Sequence, residues 1–288
     1  MLGQQLVNGI TLGSTYALIA IGYTLVLGVL KKLNIAHGEL FMVGAYMGIW
    51  AARIGAPLPL SLAVAFLSAG LAAVVIERTC FYPLRNASFL SPMLSTIAFG
   101  ILLQNLATQF FGSDPSRFPD SGASFQLELG GVTVSAIHLV ILATAFGLMV
   151  GIDLLVNRTR WGIALRATSD DPETAAQQGM HPSLVTMTTF FVSGALAGVA
   201  GALTTLVYSQ VNPHIGIRQG LIGMVAMVIG GLGNLRGAMI GGLAIGMVEI
   251  LNDAYFSAGY RDLVIFSIFF AFLIFKPEGL FPVEQNRA

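Results

Sequence analysis

Long apolar runs, interrupted by short polar breaks, fill most of the chain. Runs over 6–30, 58–76, 89–111, 134–156 and 184–208 each approach the ~20 residues a helix needs to cross a bilayer. A glycine-rich run ends near Ala52, and a last one covers 263–275 before Lys276-Pro277 stops it. The region 220–251 is different. Gly230-Gly231-Leu232-Gly233-Asn234-Leu235-Arg236-Gly237 divides it into two short pieces, of the size expected for re-entrant or broken segments. Such backbone is tolerated at membrane depth only where protein buries it or it lines a water-filled cavity. The pattern predicts an all-α polytopic integral membrane protein with one transmembrane domain over 1–288. It predicts eight or nine membrane segments, with a glycine-broken or re-entrant pair near 220–251.

Two polar stretches stand out. Residues 112–133 are rich in Gly, Ser, Pro and acids, which predicts an exposed loop with a short extended piece at 125–129. Residues 157–182, NRTRWGIALRATSDDPETAAQQGMHP, are charged and helix-competent. Placing the N-terminus outside, with both glycine-broken pieces counted as crossings, puts Lys31, Lys32, Arg78, Arg85, Arg158, Arg160, Arg166, Arg236, Lys276 and Arg287 inside. Arg53, Arg117, Arg218 and Arg261 fall outside, so 10 of 14 basic residues are internal. That is the asymmetry the positive-inside rule requires, and the opposite orientation inverts it. The 157–182 loop is therefore cytoplasmic and the 112–133 loop extracytoplasmic. A pair re-entrant on the outer side would move Arg236 and the C-terminal residues across, but not the 157–182 loop.

Composition agrees with a membrane protein and narrows its chemistry. Charged residues make up 10% of the chain, against ~25% in soluble domains, and mean hydropathy is +0.80. A net charge of zero offers no basic footprint for nucleic acid. Cys80 stands alone, and the four histidines have no ligand spacing, so neither a disulfide nor a metal cluster is expected. The start lacks the basic stretch and cleavage site of a signal peptide, and its apolar run is long enough to be kept as a span. None of Lys31, Lys32 and Lys276 follows a G-x-x-x-x-G, so no phosphate-binding loop is present, and no catalytic constellation or cofactor motif appears. If ATP drives transport, another chain hydrolyses it.

Glycine accounts for 34 of 288 residues, above the usual ~7%. Gly9/Gly13, Gly44/Gly48, Gly147/Gly151, Gly194/Gly198, Gly237/Gly241 and Gly242/Gly246 form G-x-x-x-G pairs, which let helix backbones approach closely in lipid. Polar positions share helix faces. Asn8, Thr11, Thr15 and Gly22 form one small polar face, and Ser91, Ser95, Ala98, Asn105 and Gln109 form another. Helix packing and a hydrated path both account for such faces. Candidate path residues are Asn8, Thr15, Asn34, His37, Asn105, Gly230, Gly231 and Asn234. Glu39 falls near a helix start, where the dipole favours a carboxylate, and a place on the path suits it equally.

Within the cytoplasmic loop, Asp171-Pro172-Glu173 reads as a helix start: an N-cap, a proline at the first helical position and an acid in the first turn. Gly179 and Pro182 end it. A helix of about two turns is unstable alone and needs a surface to dock on. Upstream, Trp161, Ile163, Ala164 and Leu165 lie between Arg160 and Arg166, as an interfacial segment would. An ordinary positive-inside loop is the plainer alternative.

Four blocks make the chain resemble the inner-membrane permease subunits of branched-chain amino-acid ABC importers, most closely the LivH type. They are Gly13-Ser14-Thr15-Tyr16-Ala17-Leu18 with Gly22-Tyr23-Thr24-Leu25; Asn34-Ile35-Ala36-His37-Gly38 with Gly44-Ala45-Tyr46; Gly162 through Gly179; and Gly230-Gly231-Leu232-Gly233-Asn234 with Gly237. The resemblance implies a single permease domain in a bacterial inner membrane, assembled with a second related permease, two ATP-binding subunits that hold ATP and Mg, and a periplasmic substrate-binding protein. It implies that the 157–182 loop carries a coupling helix, with Arg166, Asp170, Asp171, Pro172, Glu173 and Gly179 meeting an ATPase subunit. Branched-chain or related amino acids are the expected substrates. Urea or short amides, carried by a sister group, are an alternative, and a self-sufficient secondary transporter or channel is another.

Overall fold

The computed structural model describes residues 2–119, 126–129, 131–207 and 211–282. In chain order these form α1 (Leu2–Leu30), α2 (His37–Arg53), α3 (Leu58–Ile76, prolonged by a π-turn at Glu77–Phe81) and α4 (Leu90–Phe111). The ribbon β1 (Gln126–Leu129) and β2 (Val132–Ser135) follows, then α5 (Ala136–Arg158), α6 (Arg160–Asp170), α7 (Pro172–Gln177) and α8 (Pro182–Val207). Last come α9 (Ile215–Gly230), α10 (Leu235–Tyr255) and α11 (Arg261–Phe275). The strands pair antiparallel, Gln126 opposite Ser135 and Leu129 opposite Val132, so the extended piece expected near 125–129 is present from Gln126. Phe125 and Arg287 lie outside the described residues.

A helix apolar on every side has nowhere to face but other protein or lipid. Helices α1 and α8 are buried inside the bundle, whereas α4, α5 and α11 cover it and keep an exposed face. Helix α1 packs on α10, α8, α9 and α2, and α8 packs on α2 and α3. Its buried hydroxyls need no outside partner: Thr11, Ser14, Thr15 and Thr24 each donate to a carbonyl three or four residues back at 2.8 Å.

Close backbone approach explains most of the glycine pairs. A Cβ on Gly44 would lie 2.2 Å from Gly198 Cα, and one on Gly246 would lie 2.2 Å from Gly13 Cα. Gly147 and Gly151 are the exception, with nothing within 4 Å of either Cβ position. That pair faces away from the chain.

The expected segment count needs correcting. Among the described residues seven helices are long and apolar enough to cross a membrane, and α9, with 16 residues, is a shorter apolar one. The two pieces of 220–251 are not equally short. Asn234 caps α10 by accepting from Gly237 N at 3.0 Å, and the helix runs on to Tyr255, reaching 21 residues. Helix α9 stays short because the Asn212-Pro213-His214 turn precedes it, with Val211 bridged to Ser116. The two helices run antiparallel between opposite ends of the bundle: Arg218 meets Glu249 at one end, and Gly230 meets Gly237 at the other.

Helix α2 is also short, 17 residues, for another reason. Lys32 lies at the end of the bundle, where Nζ donates to Arg85 O at 3.2 Å. The chain then turns back inward, so His37 is fully buried against Gly22 of α1 and Ser193 of α8. Both lie well within their helices, so α2 starts inside the bundle.

Candidate functional site

The end of the bundle that carries Lys32 and Arg85, with Arg78 donating to Ser183 beside them, also carries α6 and α7. Thr159 caps α6, its Oγ1 accepting from Gly162 N at 3.3 Å. Trp161 and Leu165 turn toward the bundle, and Trp161 Nε1 donates to Thr188 Oγ1 of α8 at 2.9 Å. Ser169 donates to Gly28 O of α1, and Arg166 Nη1 to Val156 O at 2.5 Å. A Cβ on Gly162 would sit 1.9 Å from that same Val156 oxygen. Helix α6 is thus a fixed platform, and Arg166 is engaged with its own chain.

Helix α7 stands on this platform. Asp171 Oδ1 accepts from Glu173 N at 2.9 Å and Thr174 N at 3.2 Å, and Oδ2 accepts from the Thr174 hydroxyl. The Thr174 hydroxyl and these two amides hold the Asp171 carboxyl below the usual carboxylate range. Gly179 ends the segment at φ +81°. Ala175 is buried, while Asp170, Asp171, Pro172, Glu173, Thr174 and Gly179 are exposed. The result is a short capped helix presented outward with its acids uncovered.

The candidate path residues fall in four separate places. Asn8 and Thr15 line a cavity of about 500 Å³ at the opposite end, bounded by α1, α5, α8 and α10 and closed on one side by the Asp253–Arg261 ion pair. Asn34 and His37 lie at the buried start of α2, where neither atom of the Asn34 amide has a partner among the described residues. Asn105 is exposed on α4 and donates to its own Ile101 O at 2.8 Å. Gly230, Gly231 and Asn234 form the α9–α10 turn at the α6–α7 end, where Arg236 pairs with Asp153 at 3.0 Å and Asn234 also donates to Phe281 O.

The partners of two buried acids, Glu39 and Glu249, escaped sequence reasoning. Gln104, the neighbour of Asn105, turns inward and donates to Glu39 Oε1 at 2.8 Å. At the other end Arg218 meets Glu249 at 3.2 Å and Asp262 at 2.8 Å, while Arg261 meets Glu249 at 3.3 Å and also Asp253. Glu249 and Asp253 stand four residues apart on one face of α10, a spacing visible in the sequence. Arg218 comes from α9, 31 residues before Glu249, and Arg261 from beyond the turn that ends α10, so neither partner shares the acids' helix. Among the described residues no group of three His, Cys, Asp or Glu is placed to hold a metal.

Comparison with known proteins bears on the whole chain. A family model described as "Branched-chain amino acid transport system / permease component" matches residues 5–273. The chain is 36% identical to the high-affinity branched-chain amino acid transport system permease protein BraD of Pseudomonas aeruginosa, over 96% of this chain and 94% of that one. It is 35% identical to the LivH protein of the corresponding Escherichia coli system, over the same shares. The LivM permease protein of Escherichia coli is 23% identical over 100% of this chain and 72% of its own length. In fold, the chain is similar to a chain of PsaBC from Streptococcus pneumoniae in complex with Fab. The TM-score is 0.52, with 14% identity over 96% of this chain and 92% of that one.

Proposed function

Because the chain belongs to the branched-chain amino acid transport permease family, we propose that it is the membrane-spanning subunit of an ATP-driven importer for branched-chain or related amino acids. It works in a bacterial inner membrane beside a second, related permease. Two ATP-binding subunits supply ATP and Mg from the cytoplasm, and a binding protein delivers substrate from outside. The relatives reported above carry branched-chain amino acids in their names, and urea in none. Neither urea transport nor a self-sufficient transporter is favoured.

The observation that carries the reading is α7: an exposed, Asp171-capped helix on a fixed platform, in a chain with no phosphate-binding loop. Such a helix suits a groove on a partner that hydrolyses ATP, with Asp170, Asp171, Pro172, Glu173 and Gly179 at the contact. Arg166 supports it from behind by holding Val156. Transport would then be driven from one end and substrate admitted at the other. The test is reconstitution in proteoliposomes with the second permease, the ATP-binding subunits and the binding protein. Uptake of labelled leucine, isoleucine and valine, but not urea, is expected to require ATP and every partner. Uptake by this chain alone, driven by an ion gradient, would overturn the proposal.

A further inference from the structure

The start of α2 holds chemistry that the docking segment does not use. Glu39 is 4% exposed, and of its two oxygens only Oε1 has a hydrogen-bond partner among the described residues, the Gln104 amide. The carboxylate forms part of the wall of a cavity of about 550 Å³ between α2, α4 and α9. Ile97, Ile217 and Leu221 contribute its aliphatic lining, and Tyr23, Thr96 and Gln104 its other polar groups. The positive end of α2 accounts for an acid in its first turn. It does not account for an unpartnered oxygen beside a space large enough for a ligand. Cavities of this size, mostly apolar with a few convergent polar groups, are what small-molecule sites look like. An ionisable group at membrane depth is costly unless it serves a partner.

The occupant has to combine a cationic hydrogen-bond donor with an aliphatic body. We propose that Glu39 binds the ammonium group of the transported amino acid, while Ile97, Ile217 and Leu221 hold its branched side chain. This rests on the amino-acid reading above and assigns that substrate a site inside the membrane. Gln104 is a positioning residue, fixing Oε1 so that Oε2 faces the ligand. No lysine or arginine lines the cavity, so the substrate carboxylate points to the open side between α4 and α9. There Ile97 and Ile217 are exposed on the surface of this chain, and the neighbouring permease closes the site.

Two variants of the fully assembled importer test the assignment. Glu39→Gln keeps the volume and the acceptor for Gln104 but removes the charge. Gly100→Val fills the cavity, because a Cβ at Gly100 would lie 3.4 Å from Glu39 Cγ. Glu39→Gln is expected to lower leucine uptake about tenfold or more in an importer that still assembles. Gly100→Val is expected to lower the leucine-to-valine uptake ratio about threefold or more. Wild-type leucine uptake in Glu39→Gln, or equal losses for leucine and valine in Gly100→Val, would overturn the site. If Glu39→Gln does not assemble, the Gly100→Val ratio decides. A wild-type importer that moves no aliphatic amino acid would overturn the amino-acid reading itself, and the Glu39 assignment with it.

Discussion

The Tyr16 hydroxyl donates to Glu249 Oε2 at 2.8 Å, joining α1 to α10 across 233 positions of sequence. The other oxygen of Glu249 receives Arg218 at 3.2 Å and Arg261 at 3.3 Å, and Glu249 is 1% exposed. Removing that carboxylate leaves two guanidiniums short of charge, although Asp262 and Asp253 still face them. Glu249→Ala is therefore expected to cost about 2–3 kcal/mol, below the ~3–5 of a fully buried pair. Tyr16→Phe leaves one oxygen without its donor and costs about 1–2 kcal/mol. Thermal unfolding of the purified complex checks the order: Glu249→Ala lowest, Tyr16→Phe between it and wild type.

Glycines that look alike in sequence are expected to respond in opposite ways. A Cβ on Gly198 would meet Ala69 Cβ at 2.4 Å and Ala65 O at 2.6 Å, and neither helix can yield cheaply. Gly198→Ala should cost about 1–3 kcal/mol as overpacking. Gly151 has nothing within 4 Å, so Gly151→Ala should gain about 0.5–1 kcal/mol from helix propensity. Melting temperatures of the two variants in detergent settle the contrast. A stabilised Gly198→Ala would mean that α3 and α8 do not pack this way.

Helices that face lipid or core with long apolar runs were readable from the sequence, because hydropathy is set locally. The bounds expected for α3 hold, and those for α4, α5 and α8 shift by one or two residues. The short α7 was readable too, since Asp171, Pro172 and Gly179 act on their immediate neighbours. What the sequence left open depended on rotation and depth. Asn105 and Gln104 differ by one position, about 100° around a helix, and only packing against α2 decides which one turns inward. The buried start of α2 was hidden because Lys31-Lys32 reads as an ordinary loop. The inward return of the chain becomes apparent only when His37 is seen against Gly22 and Ser193.

The elbow between α5 and α6 turns on Gly162, whose Cβ position lies 1.9 Å from Val156 O. Alanine there must push α6 off α5 and disturb the Arg166 bond to the same carbonyl. Partner ATPases should still assemble, because α7 keeps its own cap. Uptake per ATP hydrolysed is expected to fall about two- to thirtyfold in Gly162→Ala, the range in which coupling mutations act. Parallel measurement of leucine uptake and phosphate release checks it. An unchanged ratio would show that α6 carries no force.

The cap of α7 separates geometry from charge. Asp171→Asn keeps an oxygen for the amides of Glu173 and Thr174, so coupling should stay near wild type. Asp171→Arg loses that acceptor and reverses the charge, as Glu173→Arg reverses it without touching the cap. Both arginine variants are expected to assemble yet hydrolyse ATP without matching uptake. The folded carboxyl of Asp171 titrates below its unfolded value, so its contribution is present above the ordinary carboxylate pKa of ~3.9 and lost only as pH falls through the lower folded value. Wild-type coupling should therefore show no Asp171-dependent step between about pH 5 and 8, which a side-by-side pH profile of wild type and Asp171→Asn measures. Normal coupled uptake in both arginine variants would remove α7 from the drive.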